Sequence, residues 1–136
     1  MKKIIYLLAL SFSLSTIYSC SSGGNSTPKE VAESYIKYVK AEKFDKIVNL
    51  IDKENYTDKE LESGGKMATA FFEEAMKSIK EQKGGIKDIE VVSEEIDEDG
   101  NSATVTIKFI YGDDTTSEND IDLVKKSDGW KLDGIF

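Results

Sequence analysis

The sequence predicts an α+β fold, three helices packed on a curved four-stranded antiparallel meander, and two observations carry that prediction. Apolar residues recur at three- and four-residue spacing as far as Lys83, then alternate with polar ones from Ile86 onward. Three turn signals, at Asp99-Gly100, Asp113-Asp114 and Asp128-Gly129, divide the alternating part into four strands. At 136 residues the chain can build one core and not two.

The first helix is announced by Thr27-Pro28-Lys29-Glu30, a cap residue, a proline at the first helical position and a Glu where a capping box needs it. Val31, Ala32, Tyr35, Ile36 and Val39 then make one apolar stripe on a helix reaching about Glu42. A short second helix is expected to set Phe44, Ile47, Val48 and Ile51 on one side, with Asp45 and Lys46 on the other. The third should run from near Asp58 to near Lys83. Gly64-Gly65 weakens its interior by about 1 kcal/mol per glycine relative to alanine, which marks its first turns as a separate or fraying segment. Met67, Ala68, Phe71, Phe72, Ala75, Met76 and Ile79 give it a wide apolar face, the expected cover for the sheet. Gly84-Gly85 ends it.

In the strands, a two-residue Asp99-Gly100 turn sets Val92 opposite Ile107 and Ile96 opposite Ala103, and points Glu90 and Glu94 inward. A three-residue loop Asp113-Asp114-Thr115, or a one-residue bulge, would set Ile107 against Ile121 and Val105 against Leu123. Trp130, Leu132, Gly134 and Phe136 join that same face. The opposite face is mostly Thr104, Thr106, Lys108, Asp122, Lys131 and Asp133, interrupted by Ile89, Val91, Ile110, Val124 and Ile135. Those apolar residues are either scattered surface positions or a pairing surface.

Ahead of this domain stands an address. Lys2-Lys3, the apolar run Ile4 to Leu14 and Ser15-Thr16 read as a secretory signal, with about half the roughly 20 apolar residues that cross a bilayer. Ile17-Tyr18-Ser19-Cys20 resembles the bacterial lipobox, departing from it at Tyr18. The resemblance implies a diacylglycerol on Cys20 and acylation, palmitate included, that tether the chain to a membrane. The expected organisation is therefore a signal peptide over 1–19, a lipidated flexible tether over 20–27 and a single domain over 28–136. Ser21 in place of an Asp favours the outer membrane of a cell envelope by analogy, on either its periplasmic or its surface face.

Composition narrows the chemistry. The chain carries 18 Lys+Arg against 26 Asp+Glu, a formal charge of −8, and loss of Lys2 and Lys3 with the signal makes it 16 − 26 = −10. Such a surface repels phosphate backbones, so no nucleic-acid partner is expected. No His and a single Cys make metal and triad chemistry improbable, and no cofactor is expected. The run Glu95, Asp97, Asp99, Gly100 imitates the start of a calcium loop, but Thr106 stands where its bidentate Glu belongs; an acidic hairpin tip accounts for it better.

The order of elements, with Gly84-Gly85-Ile86-Lys87, Ala103-Thr104-Val105-Thr106 and Gly129-Trp130-Lys131-Leu132, resembles a family of uncharacterised Bacteroidota-type lipoproteins. That family has the cone-shaped nuclear transport factor 2-like, SnoaL-like (cystatin-like) domain, and the likeness covers roughly Thr27 to Phe136. It implies a pocket between sheet and long helix, here lined by Tyr35, Phe71, Phe72, Phe109, Tyr111 and Trp130. Aromatic residues on such stripes are also ordinary core filler. The reading that follows is a non-catalytic module, membrane-anchored, whose partner is a small apolar ligand or another envelope protein. A SnoaL-type enzyme acting on a hydrophobic substrate is the alternative; its catalytic form resembles ketosteroid isomerase, with Glu90 or Glu94 as the buried acid. A structural role through the outer sheet face is a third. A cavity below roughly 100 Å³ would argue against the ligand and enzyme readings.

Overall fold

A computed structural model describes residues 27–134. The signal-like segment, Cys20 and its tether, and Ile135 and Phe136 lie outside the described residues.

Helix α1 spans Pro28–Lys40, and its start is the expected capping box: Glu30 N donates to Thr27 Oγ1 at 3.2 Å while Thr27 N donates to Glu30 Oε2 at 3.1 Å. It ends two residues before the expected Glu42, which takes a positive φ of 56° as the chain turns away. The second helix is a 3₁₀ helix, Phe44–Leu50, whose buried residues are Phe44, Ile47 and Leu50. Their spacing of three matches three residues per turn, which is why Leu50 is buried and Val48 only partly so. Ile51 leaves it in a bridge beside Leu132, with Asp52 N donating to Leu132 O at 3.0 Å.

Helix α2 spans Asp58–Lys83, capped by Thr57 and Glu60, and runs unbroken through Gly64 and Gly65. Here the expected fraying gives way to packing. A Cβ on Gly65 would stand 3.1 Å from Val48 Cγ2, so glycine lets α2 approach the 3₁₀ helix closely. Gly84, at φ 75°, ends the helix in the left-handed conformation.

Strands β1 (Ile86–Ile96), β2 (Ser102–Tyr111), β3 (Thr116–Lys126) and β4 (Gly129–Leu132) form one antiparallel meander in chain order. Residues of β2 alternate strictly, with Ala103, Val105, Ile107, Phe109 and Tyr111 buried. The first hairpin keeps Ile96 opposite Ala103, as expected, but Val91 pairs with Ile107 and Ser93 with Thr106. Val92 is therefore the extra residue of a β-bulge and is 50% exposed, not a core partner of Ile107. Two adjacent valines break the alternation at this point, and one of them has to leave the ladder. Beyond the bulge the faces exchange. Ile89, opposite Phe109, and Val91 belong to the inner face rather than the outer, and Glu90 turns outward opposite Lys108. Glu94 does face inward opposite Val105, yet it sits at the rim, where Oε2 accepts from Lys29 N at 2.7 Å and serves the open end of α1. Ile96, at the far tip of β1, is 48% exposed.

The second connection has the expected three residues but begins one earlier, at Gly112. Asp114 N donates to Tyr111 O at 3.0 Å, Asp114 takes φ 66°, and Tyr111 N donates to Thr115 O at 2.9 Å, a type I turn closed by a left-handed residue. Val105 consequently pairs with Ile121 and Ala103 with Leu123, two residues from the expected register. A shift of two preserves parity, so Ile121 and Leu123 keep the predicted face. The last turn is Ser127-Asp128, with Leu132 opposite Leu123.

The cover over the inner face is α1, not the third helix. α1 lies against β1, β2 and β4 and buries Val31, Ala32, Ile36 and Val39, while α2 rests mainly on the 3₁₀ helix and, of the strands, packs chiefly against β1. A helix of 13 residues is about 20 Å long. Four strands about 5 Å apart need no longer lid. Of α2's apolar face only Ala68 is fully buried, and Met67 and Phe71 are 71% and 72% exposed.

Candidate functional site

Four elements remote in sequence converge at the end of the sheet that α1 leaves open. α1 supplies Tyr35, α2 supplies Phe72, β3 supplies Ile121 and β4 supplies Leu132, and these side chains floor a cleft of about 350 Å³. Asp120, Asp122 and Asp133 line its rim, next to Gly134. The wall is aromatic. Phe72 stacks on Phe44 with centroids 5.3 Å apart and meets Tyr35 edge-on at 6.5 Å and Phe71 edge-on at 6.2 Å. Burial pushes the Tyr35 hydroxyl above its usual pKa, so at neutral pH it remains a phenol that can donate a hydrogen bond.

The six aromatics read from the sequence as one lining divide three ways. Tyr35 and Phe72 line the cleft. Phe109, Tyr111 and Trp130 are buried in the core, Phe109 stacked on Tyr111 at 6.3 Å, the Tyr111 hydroxyl 2.7 Å from Ser117 Oγ, and Lys83 Nζ 4.3 Å above the Tyr111 ring. Phe71 is on the surface. The separation follows from α1, rather than α2, lying over β2, while α2 rests on the 3₁₀ helix. Ile121 and Leu132 were legible as inner-face residues, but nothing local in the sequence marks them as cleft floor.

β3 outlasts its neighbour. β4 pairs only with Leu123–Lys126, and Asp133 N adds one bond to Asp122 O at 3.0 Å, so among the described residues no strand pairs with the outer edge of Thr116–Ile121. The outward side chains of this stretch are acidic. Asp120 and Asp122 accept from Thr106 Oγ1 at 2.7 Å and Thr104 Oγ1 at 3.0 Å, and Glu118 stands opposite Lys108.

Two other hollows have structural explanations. One of about 280 Å³ lies between the C-terminal ends of α1 and α2, where Lys40 Nζ is bound to Asp88 Oδ1 at 2.8 Å. Another, of about 480 Å³, surrounds Lys126, whose Nζ stands 3.0 Å from both Asp52 and Glu54 and ties the exit of the 3₁₀ helix to the last hairpin. Burial of Asp52 raises its pKa, but the hydrogen bonds from Lys126 and the Glu54 backbone, with the charges of Lys126 and Lys131, together outweigh that and leave the carboxyl below its usual range. Asp88, Asp113, Glu60 and Glu62 are also held low, by hydrogen bonds from Lys40, Thr115, Thr57 and Lys66 respectively. The run Asp97–Asn101 is a hairpin tip, with Gly100 N donating to Asp97 O at 2.8 Å and Asn101 N to Asp99 Oδ1 at 2.9 Å. Among the described residues no cluster of acids or thiols is arranged to hold a metal ion, and no helix is long and apolar enough to cross a membrane.

Comparison with known proteins adds a family and a fold. The profile of the family described as "Domain of unknown function (DUF4878)" matches residues 20–133. Among solved structures, a Campylobacter jejuni protein provisionally named an NTF2-like transpeptidase superposes with a TM-score of 0.66 at 22% identity, over 81% of this chain and 100% of that one. At that identity the likeness concerns the fold, which is NTF2-like. No curated protein matches the sequence significantly.

Proposed function

From a chain that belongs to the DUF4878 family, a domain of unknown function on an NTF2-like fold, we propose a membrane-anchored, non-catalytic binding module of a bacterial cell envelope. The observation that carries the binding half is the cleft over Tyr35, Phe72, Ile121 and Leu132. Its volume of about 350 Å³ lies at the lower end of the roughly 300–1,000 Å³ of small-molecule sites. An apolar floor, an aromatic wall and one phenolic donor suit an apolar ligand or an apolar side chain of a partner protein.

The electrostatics favour binding over acid-base chemistry. A general acid or base of the ketosteroid isomerase kind needs a carboxyl pushed upward by burial. Among the described residues, every carboxyl with a resolved displacement moves downward: Asp52, Glu60, Glu62, Asp88 and Asp113. Of the two acids named for catalysis, Glu90 faces the outer side and Glu94 serves the α1 terminus.

The anchoring half rests on Lys2-Lys3, the apolar run and Ile17-Tyr18-Ser19-Cys20, and on a family match that begins at Cys20. Two experiments test the whole. Labelled palmitate should enter the chain and fail to enter a Cys20→Ala variant; incorporation into both would remove the anchor. A neutral apolar fluorophore such as N-phenyl-1-naphthylamine should brighten with the intact chain and not with Ile121→Lys; no brightening with either would remove the cleft as a binding site.

A further inference from the structure

We propose that the edge of β3 left unpaired among the described residues, and the cleft beside it, take an extended segment of a partner protein in which apolar residues alternate with Lys or Arg. This inference rests on the binding reading above and names the partner's chemistry.

Thr116–Ile121 is a stretch of about 20 Å with one side of its backbone unpaired among the described residues. An added strand recovers those hydrogen bonds, the general mode of peptide capture at a sheet edge. Because strand side chains alternate, the guest's residues would fall by turns on the two faces of this sheet. On the inner face they pass Ser117 and Asn119 and, at the Ile121 end, meet Ile121, Leu132, Phe72 and Tyr35, which accept apolar groups. The outer face presents Glu118, Asp120 and Asp122. Asp120 and Asp122 each spend one carboxylate oxygen on a threonine and retain a second for a guest cation. Alternating apolar and cationic residues therefore seat an apolar group in the cleft at the Ile121 end and set cations against Glu118, Asp120 and Asp122 in one register.

A second copy of this chain fits the edge poorly. Antiparallel pairing of two β3 strands would bring Glu118 and Asp120 against the same acids, with Lys108 across from Glu118 the nearby cation on that face. Phe71 extends the apolar surface beyond the cleft, its ring 6.2 Å from that of Phe72.

The test uses the whole chain as isolated from producing cells, in nanodiscs of zwitterionic lipid, and an end-blocked hexapeptide of alternating valine and lysine. Binding is expected, weakened at least about tenfold when valine alternates with glutamate, and at least about tenfold by Glu118→Lys combined with Asp120→Lys. N-methylating one alternate set of amides, those facing β3, should abolish it; N-methylating the other set should not. Failure of the valine-lysine peptide to bind, equal binding of the glutamate peptide, or indifference to both N-methylations would each overturn the inference. So would binding that appears only after Ile135 and Phe136 are deleted, which would make the chain's own end the occupant. If the peptide fails while N-phenyl-1-naphthylamine still binds, only this inference falls; if both fail, the binding reading falls with it.

Discussion

Replacing Gly112 with alanine should loosen the seam between α2 and the sheet. A Cβ built on Gly112 lies 2.4 Å from Gly84 O and 2.8 Å from Gly84 C, both backbone atoms that no rotamer change can move. Carbon-to-carbonyl contacts normally sit at about 3.3–3.6 Å, so the hairpin loop has to retreat by roughly 1 Å. That retreat breaks the two bonds that hold it to the helix end, Gly112 N to Gly85 O at 2.9 Å and Asp113 N to Lys83 O at 2.8 Å. At about 1 kcal/mol net per bond, with the residual strain, the loss is about 2–3 kcal/mol. Gly112 has an ordinary φ, so alanine regains about 0.4–1 kcal/mol by restricting the unfolded chain. The balance is about 2 kcal/mol of destabilisation, which lowers the melting temperature by roughly 10 °C in a domain of this size. Thermal circular dichroism measures it, and amide exchange at Asp113 should accelerate. Gly100→Ala is the control, with nothing within 4 Å of its Cβ but a φ of 71°, and should cost about 1 kcal/mol from conformation alone. A Gly112→Ala protein that melts within about 2 °C of the parent, with Asp113 exchange unchanged, would refute the reasoning.

Other consequences are open to simple measurement. Asp52 is held below its usual pKa chiefly by Lys126 against the opposing effect of burial, so its contribution is present above the unfolded value of about 3.9 and is lost as pH falls through the lower folded value. Urea titrations at pH 7, 5 and 3 should therefore show Lys126→Met less stable than the parent at pH 7 and losing less on acidification; parallel losses would remove Asp52 as the linked group. Thr57→Ala removes the cap that receives Glu60 N and should cost about 1 kcal/mol, read as a lower urea midpoint at constant m-value. Phe71→Ser should change stability by no more than about 0.5 kcal/mol because the ring is exposed, whereas Phe109→Ala should cost about 3–5 kcal/mol. Similar effects from the two would contradict the division of the aromatics between surface and core.

The register shows where sequence and structure part. Capping at Thr27, the start of α2 near Asp58, the stop at Gly84 and the alternation of β2 involve partners only a few residues apart, and each was readable in the chain. Parity survived even where register did not: the Gly112 turn moved β3 by two residues and left Ile121 and Leu123 facing inward. A single residue was enough to undo β1. Val92 stepping out of the ladder carried Ile89 from the outer face to the core and took from the outer sheet face one of the three isoleucines that a pairing surface there would use.

By itself, then, the sequence determined the element order, the helix starts and the side to which β2, β3 and β4 turn their apolar residues, because hydrogen bonds and side-chain periodicity over a few residues settle these. Only the tertiary structure decided that α1 rather than α2 covers the sheet, that β1 bulges, and that Tyr35, Phe72, Ile121 and Leu132 meet beside a strand edge that no described strand pairs with. Those outcomes depend on how elements of unequal length share one apolar face. That competition is resolved by packing across the whole domain and leaves no local mark in the chain.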